Sequence, residues 1–288
     1  MKSKLDCIQC QLRQGIEIIK LSIPNNFNFQ KKLLNEILEY FQKTAWESMT
    51  PVELMAPVYR HIALRTSIID PFKNIKTNYN ELAKKLVPEL KVFLRQSENR
   101  LISAITIASR GNFLDASPGT NYDICKKLND SFAIWDFDKF SEMLQSCKNI
   151  LYLGDNAGEV FFDRFLIEHL ISHGKNIVYA VRGGPAMDDA MLEDAQYAEL
   201  DKITRVITTG CDMMGVVWIY CSKEFKEEFG KADLIIAKGQ GNFEGLTEED
   251  VQGKERIFLL LQAKCRVIAD YLKVKQGSGV FKWLGKIL

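Results

Sequence analysis

Three short segments of this chain set oxygen-bearing and cationic side chains where buried strands are expected to end. The first is Gly154-Asp155-Asn156-Ala157-Gly158-Glu159, which follows the apolar run 149–153 and precedes a helical pattern of Val160, Phe161, Phe165, Leu166 and Leu170. The pattern predicts a buried strand, a tight turn and a helix. The second begins with a β-rich run at 176–181, continues as Arg182-Gly183-Gly184-Pro185, and reaches the acid pair Asp188-Asp189 before a helical stretch at 190–198. In the third, a run at 232–237 leads into Lys238-Gly239-Gln240-Gly241-Asn242-Phe243-Glu244. In a parallel sheet all three turns lie along the carboxyl edge, which is where open α/β sheets bind ligands. Asp and Asn oxygens are hard donors, suited to Mg2+ or Mn2+ rather than to zinc. A lysine beside such a cation would help neutralise a phosphoryl group during in-line displacement.

Each element also has a plainer reading. Asp155 and Asn156 are favoured helix caps. Asp188 and Asp189 could complete a helix dipole, and Lys238 could be a solvated lysine at a strand end. Glu244 is the weakest candidate, because the nearby acids Glu248, Glu249 and Asp250 read as the start of a helix after Thr247. Three polar glycine-containing turns in one chain exceed what capping requires. Cys7 and Cys10 share one helix face, but no second cysteine or histidine pair completes a zinc set, and structural burial is the preferred reading. His61, His169 and His173 read as partly exposed helix residues. Neither glycine turn supplies the GxGxxG of a dinucleotide site.

The elements that must position these turns follow from the rest of the chain. Its 288 residues suffice for one large or two ordinary domains, and 47% hydrophobic with 26% charged residues is an ordinary globular composition. A net charge of +1 gives no sign of a nucleic-acid or membrane surface. The beginning of the chain lacks the apolar core of a signal peptide, and no apolar run approaches the ~20 residues of a membrane span. The seven scattered cysteines argue against a disulfide framework and for the reducing cytoplasm.

Up to residue 148 the pattern is helical: 7–21, 29–46, a helix from the Thr50-Pro51-Val52-Glu53 capping box to about Arg65, 78–96, 99–109 and 138–147. Beyond it strand and helix alternate, with strands expected near 149–153, 177–181, 203–208, 233–237 and 266–269. This predicts an α/β protein: a helical cap at 1–148 packed on a Rossmann-like, mainly parallel sheet with covering helices at 149–288.

On these motifs the chain resembles the family long called domain of unknown function 89, the damage-control phosphatases related to the ARMT1-like metal-binding domain, over nearly its whole length. The most specific matches are Gly154 to Glu159 with Asp163, Arg182 to Pro185 with Asp188-Asp189 and Glu193-Asp194-Ala195, and Lys238 to Glu244. Weaker ones are Cys7-Ile8-Gln9-Cys10, Asp70-Pro71-Phe72, Gly111-Asn112 with Asp115, and Lys264-Cys265. The short CxxC resembles the compact prokaryotic branch. The resemblance implies a divalent cation (Mg2+, Mn2+, Co2+ or Ni2+) on Asp155, Asn156 and Asp189, with Asp155, Asp189 and Lys238 catalytic. It implies phosphate or substrate contacts from Lys238, Asn112, Asp188, Gly239, Asn242 and Glu244. Two departures bear on substrate preference: Asp188 stands where Asn is expected, and Arg110 stands where a small residue is more usual. Asp115 and Asp212 are further candidate determinants.

The expected function is metal-dependent hydrolysis of small phosphorylated metabolites, sugar phosphates or damaged phosphometabolites, with no nucleic-acid or membrane partner. The alternatives are an S-adenosylmethionine-dependent carboxyl methyltransferase and a non-catalytic metal- or phosphometabolite-binding protein.

Overall fold

In the computed structural model, which describes residues 1–111, 128 and 131–285, the side-chain period of two decides which way each strand faces. The strands are β1 (Phe132–Trp135), β2 (Asn149–Leu153), β3 (Asn176–Val181), β4 (Arg205–Thr208), β5 (Leu234–Lys238), β6 (Ile257–Gln262) and β7 (Gly279–Trp283), forming one sheet in the order β1-β7-β6-β5-β2-β3-β4. β4, β3, β2, β5 and β6 are mutually parallel. β7 is antiparallel to β6 and parallel to β1. The central strands are apolar on both faces, as burial between two helical layers requires.

The helices are α1 (Leu5–Ser22), α2 (Phe27–Lys43), α3 (Pro51–Thr66), α4 (Lys73–Gln96), α5 (Arg100–Ser109), α6 (Phe137–Ser146), α7 (Glu159–Ser172), α8 (Leu192–Tyr197), α9 (Lys223–Lys231), α10 (Gly239–Leu246) and α11 (Arg266–Leu272). Ile150, Tyr152, Tyr179 and Ile236 face one core, filled by Leu90 of α4, Ile105 of α5, Phe140 of α6 and Phe162 of α7. Leu151, Leu153, Ala180 and Ile235 face the other, filled by Phe225 of α9, Phe243 of α10 and Ile268 of α11. A third core joins α1, α2 and α3 through Ile18, Leu33, Ile37 and Val58, and reaches the sheet's site edge at Met187 and Met214. Among the described residues no helix is long and apolar enough to cross a membrane.

The capping box at Thr50 is present: Glu53 N donates to Thr50 Oγ1 at 3.2 Å and Thr50 N donates to Glu53 Oε2 at 2.8 Å. Several expectations are corrected. Residues 266–269 are helix, because Ile268, Ala269 and Leu272 pack as one buried stripe into the second core. No helix starts after Thr247, which instead caps the end of α10. The strands β1, β6 and β7 were not anticipated, and β1 lies before residue 148.

α4 is also tied directly to the site edge. Asn80, 5% exposed, accepts from Gly158 N at 2.7 Å and donates to Asp194 Oδ1 at 2.7 Å. Asn80→Leu strands both partners in the interior and should lower stability by about 2–3 kcal/mol. Urea unfolding should show a lower midpoint at unchanged slope, whereas Asn78→Leu, on the exposed side of α4, should move it by under about 0.5 kcal/mol.

Candidate active site

The turns after β2 and β3 are joined by backbone. Gly154 N donates to Ala180 O at 2.9 Å, Ala157 N to Asp188 O at 2.9 Å, and Ala190 N to Asp155 O at 2.8 Å. Asn156 and Asp189 pair as an isolated antiparallel bridge. Two loops far apart in sequence thus act as one rigid platform, and Asp155, Asn156, Asp188 and Asp189 line a cavity of about 550 Å³.

Arg182, the residue that follows β3, supports the platform from beneath. Its guanidinium is 1% exposed, and Nε donates to Asp189 Oδ2. Nη1 donates to Asn242 Oδ1 at 3.1 Å, and Nη2 reaches Asp155 Oδ1 at 3.5 Å. A planar fork of donors suits this task better than a point charge. Burial pushes Asp155 up to about 7, with the neighbouring Asp189 adding to the shift and Arg182, Lys264 and Lys238 opposing it. Burial likewise pushes Asp189 up to about 6 against the pull of Arg182.

A second buried charge group lies behind the first. Lys238 is 0% exposed, and its Nζ donates to Glu159 Oε2 and Asp163 Oδ1, both at 2.8 Å. Asp163 also accepts from Tyr152 Oη at 2.7 Å and Tyr179 Oη at 2.9 Å. Burial works against the lysine's charge, but Asp163 and Glu159 outweigh it and hold its pKa above the usual lysine range. Glu159, buried and sharing one ammonium with a second acid, is pushed up to about 7.

The third motif continues without a loop into α10. Gly239 has φ +77°, and a Cβ there would fall 1.8 Å from Asp155 Oδ2. Only glycine lets this helix start approach the acid so closely. Asn242 is fully buried and braces the turn, donating to Gly154 O at 3.1 Å and Lys238 O at 2.8 Å. Glu244 borders the cavity, and burial raises its carboxyl to about 8.

Asp155, Asn156, Asp188, Asp189 and Glu244 therefore meet at one cavity, whereas Lys238 and Asn242 are fully buried and Gly239 packs against the Asp155 carboxylate. The Lys238 ammonium is held by two buried carboxylates. Among the described residues three cations border the cavity, Arg13, Lys264 and Arg266, and of these Lys264 acts on Asp155. Asp212 is engaged by Arg60 Nε at 2.8 Å. Arg110 is buried with its guanidinium carbon 5.4 Å from the centre of the Phe132 ring. Asn112 and Asp115 lie outside the described residues. Sequence reasoning gave Arg182 no role; an arginine at the end of a buried strand, directly before two glycines, was the available signal. Cys7 is buried and Cys10 half-buried, and both border the same cavity.

A divalent cation can be tested against this donor set. Asp155, Asn156 and Asp189 supply two carboxylates and an amide, at 8%, 9% and 4% exposure. Both acids are held in a setting that favours a bound positive charge, be it a proton or a cation. Among the described residues no three His, Cys, Asp or Glu side chains converge as a metal cage, so the available set is two acids with an amide. Oxygen donors alone, beside unbalanced buried negative charge, fit a hard cation.

Comparison with known proteins shows what the chain is similar to as a whole. The chain is 35% identical to an uncharacterized protein of Methanocaldococcus jannaschii over 289 residues, covering 97% of this chain and 95% of that one. It is 34% identical to a damage-control phosphatase of Pyrococcus horikoshii over 284 residues, covering 96% of each. A second damage-control phosphatase, from Archaeoglobus fulgidus, is 28% identical over 98% of this chain and 99% of its own. The crystal structure of a DUF89 family protein from Pyrococcus horikoshii superposes with a TM-score of 0.90 at 32% identity, covering 99% of both chains. The family model described as the damage-control phosphatase ARMT1-like domain matches residues 3–280, and the chain belongs to that family.

Proposed function

We propose that this protein hydrolyses phosphate monoesters of small metabolites with the help of a divalent cation held by Asp155, Asn156 and Asp189. The observation that carries the reading is the bridged platform. It brings two carboxylates and an amide from separate strand ends to one cavity, with an arginine clamp beneath them. The names of the Pyrococcus and Archaeoglobus relatives support a phosphatase. When bound, the cation would polarise a phosphoryl oxygen and activate water.

The chain's own groups then divide the remaining work. Asp155, Asn156 and Asp189 offer the oxygens, and Arg182 fixes two of them in orientation. Lys264, at the cavity wall, supplies positive charge to phosphoryl oxygens without competing for the cation. Lys238 keeps Glu159 and Asp163 in place behind the platform. Asp188 and Glu244 border the space beside the phosphate.

Phosphate release from p-nitrophenyl phosphate should require added Mg2+, Mn2+, Co2+ or Ni2+ and stop with EDTA. Release undiminished by chelation would contradict the reading. Asp155→Ala should lose Mn2+ binding by calorimetry and at least two to three orders of magnitude in kcat/KM, with the circular dichroism spectrum intact because the residue stands in a turn.

The two lysines should fail in different ways. Lys264→Ala should cut kcat/KM by roughly two to three orders of magnitude at saturating Mn2+ while leaving Mn2+ affinity in place. Lys238→Met leaves two buried carboxylates without their cation and should cost about 3–5 kcal/mol of stability. Steady-state kinetics, Mn2+ titration and urea unfolding of both variants separate these roles. A stable Lys238→Met protein that lost only turnover would reverse the assignment.

A further inference from the structure

α1 contributes a wall of the cavity that the hydrolytic reading leaves without a role. Gln11 and Gln14 stand three residues apart on the same face of this helix and both line the cavity. Gln11 is 3% exposed, yet among the described residues its Oε1 has no hydrogen-bond partner, and neither has the buried Oε1 of Gln14. The third cavity glutamine, Gln240, differs: its Oε1 accepts from Lys264 N at 2.7 Å and its Nε2 points to Cys265 Sγ at 3.8 Å. A buried carboxamide oxygen without a partner is costly. Two such oxygens, three residues apart on side chains that line the cavity, point to groups kept for a ligand. Asp6, Arg13 and Glu17 border the same wall, so it carries charges of both signs.

We propose that Gln11 and Gln14 form a specificity subsite for the part of the substrate that remains after the phosphoryl group leaves. A carboxamide both donates and accepts, and it carries no charge of its own. The matching chemistry is therefore a neutral group that also does both. Sugar hydroxyls and the amide edge of a nucleobase share it. This inference rests on the phosphatase reading for the position of the phosphate, but the subsite can be measured without turnover.

The test compares p-nitrophenyl phosphate, which lacks such groups, with ribose 5-phosphate and inosine 5′-monophosphate, in the wild type, Gln11→Leu and Gln14→Leu. At least one hydroxyl- or base-bearing ester should show a higher kcat/KM than p-nitrophenyl phosphate in the wild type. Gln11→Leu should lower that value roughly ten- to a hundredfold through KM, the scale of one lost buried partner, and leave p-nitrophenyl phosphate within about twofold. Gln14→Leu, at the less buried position, should move in the same direction by less. A preference shared by ribose 5-phosphate identifies hydroxyls as the recognised group, and one confined to the nucleotide identifies the base.

Equal losses on all three esters, or no loss on any, would overturn the proposal. If the wild type releases no phosphate from any ester with any cation, the hydrolytic reading fails and the subsite is read by calorimetry. Binding of ribose 5-phosphate or inosine 5′-monophosphate that weakens tenfold or more in Gln11→Leu supports it. Unchanged affinity, or no wild-type binding of either, overturns it.

Discussion

The site depends on one buried guanidinium. Arg182 sits under two carboxylates that burial and mutual repulsion would otherwise drive apart or protonate, and it touches both while also holding Asn242. Each contact uses a different nitrogen, so the orientation of three side chains from three strand ends is set together. A buried ion pair of this kind is not a strong source of stability, since desolvating the charges offsets most of their attraction. Its value lies in geometry: it keeps like charges side by side at a cavity edge.

The second buried group gives the same edge its depth. Lys238, Glu159 and Asp163, with the hydroxyls of Tyr152 and Tyr179, form a closed polar cluster inside an apolar layer. Every member sits on or against the central strands, so the cluster fixes the start of α7 relative to β2 and β5. The carboxylate platform stands directly above that junction. The two charge systems differ in access: one faces the cavity and the other is sealed behind it.

Much of this was legible in the sequence, and the failures have physical causes. The strands carrying the site were readable because each is a short apolar run that stops at glycine and polar residues. β6 was missed because its apolar run, Ile257 to Leu261, is followed by Gln262-Ala263-Lys264 with no glycine to mark a turn, and β1 because its pairing with β7 is distant in sequence. The start of α11 looked strand-like through Val267 and Ile268, yet packing turned it into helix. The turns that carry Asp155, Asn156 and Asp189 could be found from residue type and position, whereas the choice of these three as cation ligands came from the family resemblance. The sequence also held the side on which Lys238 lies, in its parity. Leu234 and Ile236 face the core under α7, and a residue two positions on must face the same way, toward Glu159 and Asp163. No local signal told that Arg182 turns inward to grip the acids, since that requires knowing how the three turns approach one another.

The most direct test of this account is anomalous diffraction from crystals soaked in Mn2+. The account predicts a single strong peak among the oxygens of Asp155, Asn156 and Asp189, with Arg182 still in contact with Asp189. A peak elsewhere in the cavity, or on the thiols of Cys7 and Cys10, with the three oxygens left bare, would contradict it.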